Sequence, residues 1–169
     1  MATEIERKFL CNIQLVEKLI SSEQPAGNMM KITQQYLCIG HEEIRIRKKE
    51  NLELDSLYFL TIKSGDGLMR EENEFQITES TYTQLLGLKQ PIIKNRFTLK
   101  NQEGITIIID RFKDFNFIIG EVEFESEEAA KQYQPEIWMD EEITYNSDFK
   151  NQKLWLKLNS TISPDMRNI

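Results

Sequence analysis

The feature that most limits what this chain can fold into is an alternation of charged and apolar residues at period two. It begins in Glu4-Ile5-Glu6-Arg7-Lys8 and returns along most of the length. Extended backbone sends successive side chains to opposite faces, so Glu4, Glu6 and Lys8 share one face while Ile5, Arg7 and Phe9 take the other. A single motif of this kind describes any solvated strand. Its recurrence in Arg45/Arg47, Arg70/Glu72/Glu74, Lys94/Arg96 and Glu121/Glu123/Glu125 means that several strands carry one ionic and one apolar face.

The 169 residues, 40% of them hydrophobic, fit one domain with a real core. We place the domain at 1–158 and a polar tail at 159–169. A formal net charge of -7, from 21 Lys+Arg against 28 Asp+Glu, repels nucleic acid and anionic membranes over most of the surface. Neither is expected as a partner. Two cysteines, Cys11 and Cys38, and a single histidine, His41, supply no zinc cluster, and both thiols are expected in the core. His41 falls at a turn and receives no role. No apolar run approaches the roughly 18 residues of a membrane span, so a soluble, cytoplasmic monomer or homodimer is expected.

Along the chain, Asn12 is placed to cap a helix in which Leu15/Leu19 and Val16/Ile20 pair at i,i+4. Strands are expected at 31–37, 43–49 and 57–63, then, after Ser64-Gly65-Asp66-Gly67 turns the chain, at 68–77. Thr78 is expected to cap a short helix that stops at Gly87. Strands at 92–100, 105–111 and 117–125 form an antiparallel meander. Ser126 opens a brief helix, and Asp148 is expected to cap a last one through Trp155 and Leu158.

About eight strands with helices for cover, one sheet face apolar and the other ionic, allow two solutions. An open sheet leaves the ions in water. A closed barrel draws Lys8, Arg45, Arg47, Lys63, Arg70, Lys94 and Arg96 towards Glu4, Glu6, Glu72, Glu74, Asp110, Glu121 and Glu123, with the apolar faces outside beneath the helices. Buried ions need partners or a ligand, because each loses several kcal/mol of solvation. Such a lumen implies a polyanion held together with a hard divalent cation such as Mg²⁺ or Mn²⁺.

These residues, in this order, resemble the CYTH proteins, or triphosphate tunnel metalloenzymes, from Glu4 to about Leu158. Glu4-Ile5-Glu6-Arg7-Lys8-Phe9-Leu10 is similar above all to their small bacterial inorganic triphosphatases. The resemblance implies an α+β, mainly antiparallel fold: an eight-stranded closed tunnel with helices packed outside. It further implies a triphosphate-bearing small molecule as partner and Mg²⁺ or Mn²⁺ as cofactor. By residue, it implies metal binding by Glu4, Glu6, Glu72, Glu74, Asp110, Glu121 and Glu123. Substrate is then gripped by Lys8, Arg45, Arg47, Lys63, Arg70 and Lys150, the last in Lys150-Asn151, and the attacking water is oriented by Lys94 and Arg96. Two departures, Arg111 after the aspartate and a short hairpin from Asp110 to Glu121, are expected near the tunnel rim.

The function expected is metal-dependent hydrolysis of a triphosphate, foremost inorganic tripolyphosphate to diphosphate and phosphate. An adenylate cyclase of the class IV type or a nucleoside or thiamine triphosphatase is the alternative. A polyphosphate-binding module without turnover is disfavoured, because a pure anion binder has little use for so many acids.

Overall fold

A computed structural model describes residues 5–22, 29–51, 55–64, 71–101 and 103–160. Within the described residues the period-two segments form strands, and further strands join them. These are β1 (Ile5–Cys11), β2 (Met29–Ile39), β3 (Glu42–Asn51), β4 (Leu57–Ser64), β5 (Glu71–Ile77), β6 (Ile92–Lys100), β7 (Thr106–Phe112), β8 (Ile118–Phe124) and β9 (Met139–Glu142). The helices are α1 (Ile13–Ser22), α2 (Glu79–Leu85), α3 (Glu127–Gln132) and α4 (Asn151–Ser160). Three caps act as their residue types require. Asn12 Oδ1 accepts from Leu15 N at 3.2 Å, Thr78 Oγ1 from Thr81 N at 3.1 Å and Ser126 Oγ from Ala129 N at 3.1 Å.

All pairings are antiparallel, in the order β5-β4-β3-β2-β6-β7-β8-β1-β9. The fold is therefore α+β and mainly antiparallel, but it corrects the expected eight-stranded closed barrel. Among the described residues there are nine strands, and no pairing joins β5 to the far end. The second edge of β1, which a closing strand would need, is taken by β9 through Phe9↔Glu142 and Cys11↔Met139. β9 was missed because Met-Asp-Glu-Glu has no alternation. It is fixed from outside by Arg7, whose Nε and Nη2 donate to the Glu142 carboxylate at 2.9 and 2.6 Å. Arg7 Nη1 also donates to the carbonyls of Ala130 and Tyr133 at 2.9 and 3.0 Å. Arg7 is thus a clamp on the outer face.

The sheet divides its apolar residues between both faces. On the outer face Phe9, Cys11, Phe97, Leu99, Ile107, Ile109 and Val122 pack with Val16 of α1 and with Tyr133, Trp138 and Met139. A smaller outer cluster joins Ile46 and Tyr58 to Tyr82 of α2. The third cluster corrects the expectation that every helix lies outside. Tyr36, Ile92, Phe112 and Ile119 stand in phase with Arg45, Lys94, Asp110 and Glu121, and they are covered by Leu154 and Trp155 of α4 together with Ile143. One end of the ionic face is therefore apolar, and α4 lies across it. On the rest of that face Gln34 and Thr61 are 0% exposed and Lys94 and Asp110 1%. A flat sheet with one helix at one end would leave such groups wet, so the sheet must curl with its ionic face concave.

Smaller corrections follow from the same geometry. Cys38 is exposed beside a register shift in β2, whereas Cys11 is buried. Asp148 lies in a 3-10 turn capped by Asn146, and α4 starts one step later, where the Lys150 carbonyl accepts from Leu154 N at 3.0 Å. Arg111 is on the outer face, in the last pair before the β7–β8 hairpin, and contacts Glu17 of α1 at 3.2 Å. No described helix is long and apolar enough to cross a membrane.

Gly120 is a tight point of the outer packing, since a Cβ there would meet Cys11 Sγ at 3.0 Å and Trp138 Cζ3 at 3.3 Å. Gly120→Val should therefore destabilise the fold by about 1–3 kcal/mol through overpacking. Urea unfolding at neutral pH measures this.

Candidate active site

Strand register fixes which charges meet on the concave face. Glu6 lies opposite Glu123 and Lys8 opposite Glu121; Arg96 faces Asp110 across β6–β7. Arg47 lies opposite Gln34 and Arg45 opposite Tyr36, while Thr61 and Lys63 face Glu74 and Glu72. Two ionic groups result.

The deeper group is built on Asp110. Arg96 donates to it in a fork, Nε to Oδ1 at 2.7 Å and Nη2 to Oδ2 at 2.7 Å, and Lys94 Nζ donates to Oδ2 as well. Arg96 Nη2 also reaches Glu121 Oε2 at 3.1 Å, and Lys8 Nζ bridges Glu121 and Glu6 at 3.1 and 3.0 Å. Burial opposes ionisation of Asp110, but Lys94 and Arg96 outweigh it and hold the carboxyl well below the usual range. Glu121 is lowered in the same way, with Lys8 chief among its counter-charges. For Lys94 burial prevails, with Arg96 and Arg47 adding to it, and its ammonium is pushed down to about 8 despite Asp110. Its Nζ stands 5.3 Å from the Phe112 ring centre and 3.4 Å from Asn151 Oδ1, at the start of α4.

The second group lies on β3–β5. Arg45 Nη2 and Lys63 Nζ contact Glu72 at 3.2 and 2.5 Å, Lys49 Nζ contacts Glu74 at 3.0 Å, and Thr61 Oγ1 donates to Glu74 at 3.1 Å. Arg47 is less well matched, because Glu74 is 3.9 Å away and its closer contact is the neutral Gln34 Oε1 at 3.2 Å. Burial, then Arg45 and Arg96, push the Arg47 guanidinium down to about 10. Arg45 Nε, Arg47 Nε and Gln34 Nε2 are buried with no hydrogen-bond partner among the described residues. This concave face therefore offers donors and positive charge that its own acids do not fully use.

Of the residues expected from sequence, Lys8, Glu6, Arg96, Lys94, Asp110 and Glu121 come together, with Glu123 on the same face and raising Arg96 electrostatically. Arg45, Arg47, Lys63, Glu72 and Glu74 form the other group. Glu4 and Arg70 lie outside the described residues. Lys150 is exposed and contributes a carbonyl to α4 rather than a charge to either group. The six described acids of the seven expected at metal are divided between the two groups, Glu6, Asp110, Glu121 and Glu123 in one and Glu72 and Glu74 in the other, and no three acidic, histidine or cysteine side chains among the described residues are gathered for one ion. Sequence reading passed over Gln34, Lys49 and Thr61. Lys49 is in phase with Arg45 and Arg47, and Thr61 with Lys63, so extending the period would have found them. Gln34 carried no such signal.

A concave, partly buried face with excess donors defines a binder of polyvalent oxyanions. Comparison with known proteins makes that class specific, although no family model matches the chain. The inorganic triphosphatase of Nitrosomonas europaea is 32% identical over 162 residues, spanning 92% of this chain and 99% of that one. The crystal structure of the inorganic triphosphatase NE1496 superposes with a TM-score of 0.64 at 30% identity, covering 92% of this chain and 96% of that one. The PH1819 protein of Pyrococcus horikoshii OT3 has the same fold, with a TM-score of 0.63 at 21% identity over 95% of this chain and 100% of its own. The chain belongs to the inorganic triphosphatase family, the group that its sequence already resembles.

Asp110→Asn should cost about 3–5 kcal/mol at pH 7, because it leaves buried Lys94 and half-buried Arg96 without their shared counter-charge. Asp110 is depressed in the fold, so its contribution is complete above the ordinary carboxylate range and fades as pH falls through the lower folded value. Denaturant unfolding of both proteins should thus show the gap narrowing below about pH 4.

Proposed function

We propose that the chain hydrolyses the terminal phosphoryl group of a triphosphate bound on the concave face, with inorganic tripolyphosphate as the preferred substrate. The observation carrying this reading is the poorly matched Arg47, depressed by burial and then by Arg45 and Arg96 and left, like Arg45, with a buried unpaired Nε. A tripolyphosphate presents many oxygen acceptors and enough negative charge to satisfy these groups together. The relative named for this activity supports the same choice. On this reading the curled sheet acts as a tunnel, closed at one end by α4, and residues 1–158 work as one domain.

Arg45, Arg47, Lys63 and Lys8 hold and neutralise the phosphate chain. Lys94 and Arg96 orient the attacking water, and Asp110, with both oxygens already engaged by that pair, serves to position them. The depressed Lys94 ammonium can exchange a proton near neutral pH, which suits a group beside an attacking water. Glu6, Glu121 and Glu123 share one face of β1 and β8; though not gathered for one ion as they stand, their carboxylate oxygens are the donors that would hold a hard cation such as Mg²⁺ or Mn²⁺. When bound, such an ion supplies Lewis-acid polarisation of the phosphate chain.

Phosphate release from tripolyphosphate should exceed that from ATP or thiamine triphosphate, require Mg²⁺ or Mn²⁺, and stop on chelation. Equal turnover in excess chelator would refute the metal assignment, and no release from any of the three would refute the activity. Kinetic variants separate the two sets of bases. Arg45→Ala should raise KM more than it lowers kcat, whereas Lys94→Ala should cut kcat by roughly a hundredfold and leave KM nearly unchanged.

A further inference from the structure

Gln34 is a buried polar side chain for which the reaction above gives no use. It lies on the concave face of β2 with 0% exposure, opposite Arg47, and its Oε1 accepts from Arg47 Nη2 at 3.2 Å. A guanidinium nitrogen only donates, so this contact identifies the amide oxygen and leaves the amide nitrogen as the other atom. That Nε2 has no hydrogen-bond partner among the described residues. Buried amide donors are rarely left unpaired, and the neighbouring β3 positions Arg45 and Arg47 each hold an unpaired Nε too.

We propose that Gln34 is a substrate-binding residue, whose Nε2 donates to a phosphate oxygen while its Oε1 holds Arg47 in place. The assignment rests on the triphosphatase reading. A neutral donor suits this position, because Arg45 and Arg96 already burden Arg47 with like charge and another cation would add to it. The amide adds a directed hydrogen bond without that repulsion. It reads oxygen acceptors, and a phosphate chain has them on every unit.

Gln34→Met keeps the size and removes both polar atoms. It should raise KM for tripolyphosphate by roughly ten- to a hundredfold, the range of a lost hydrogen bond to a charged group, with kcat changed much less. A merely structural role through Arg47 is separated by a double-mutant cycle. If Gln34 donates directly, adding Gln34→Met to Arg47→Met still lowers kcat/KM about tenfold or more; if it acts only through Arg47, the second change has no further effect and the proposal falls. Should Gln34→Met fail to fold, Gln34→Glu serves, since it keeps an acceptor for Arg47 but exchanges the donor for a second acceptor, and should show the same loss. A wild-type protein that tripolyphosphate neither feeds nor thermally stabilises overturns the activity and the Gln34 role together. Normal wild-type turnover with an unaltered KM in Gln34→Met overturns the Gln34 role alone.

Discussion

Burying Lys94 and Asp110 together with half-buried Arg96 is the constraint to which the rest of the molecule answers. Each ion would lose several kcal/mol of solvation if buried alone, so the three persist only because both Asp110 oxygens are engaged by the two bases. That arrangement needs Lys94 and Arg96 two residues apart on one strand and Asp110 opposite Arg96 on the next. The β6–β7 register is thereby fixed, because a slip of one residue in β7 would send Asp110 to the outer apolar face and leave Lys94 and Arg96 without it. Glu121 and Lys8 extend the network to β8 and β1, and the segment Glu6 to Lys8 takes its place from that pairing.

The two faces of the sheet perform different tasks with the same alternation. Outside, Phe9, Val122 and Ile109 bury apolar area beneath α1 and α3, and Arg7 uses its guanidinium on carbonyls and Glu142 to hold the edge strand. Inside, the polar period gives way at one end to Tyr36, Ile92, Phe112 and Ile119, which α4 covers. The cover is also a contact, for Asn151 at the head of α4 reaches Lys94. Apolar packing and the ionic site thus meet at Lys94, whose ammonium lies between the Phe112 ring, Asp110 and Asn151. On the proposed reading, an elongated, highly charged anion enters from the end that α4 does not cover.

Electrostatic balance distinguishes the two ionic groups. Around Asp110 the acids and bases are matched closely enough to hold the carboxylates ionised. Around Arg47 they are not, and positive charge accumulates beside unpaired donors. The first arrangement is preorganised without a ligand. The second gains most when one arrives, which is where binding energy for a phosphate chain would be concentrated.

Period-two chemistry made the strands, the ionic face and most of its members legible, from Lys8 and Arg45/Arg47 to Lys94/Arg96 and Glu121/Glu123. The ordered set also resembled the family to which the chain proved to belong. Side-chain alternation is a local property of extended backbone, so the sequence by itself determines which residues share a face. It does not determine what lies against that face. The open order of nine strands, the edge role of Met139–Glu142 and the seating of α4 on the concave side are decided by long-range competition for strand edges and apolar area. The same holds for Gln34. Alternation puts it on the face opposite Gln35, but tertiary packing, which chooses their partners, decides that Gln34 meets Arg47 with an unpaired amide while Gln35 bonds the Gly87 and Lys89 carbonyls.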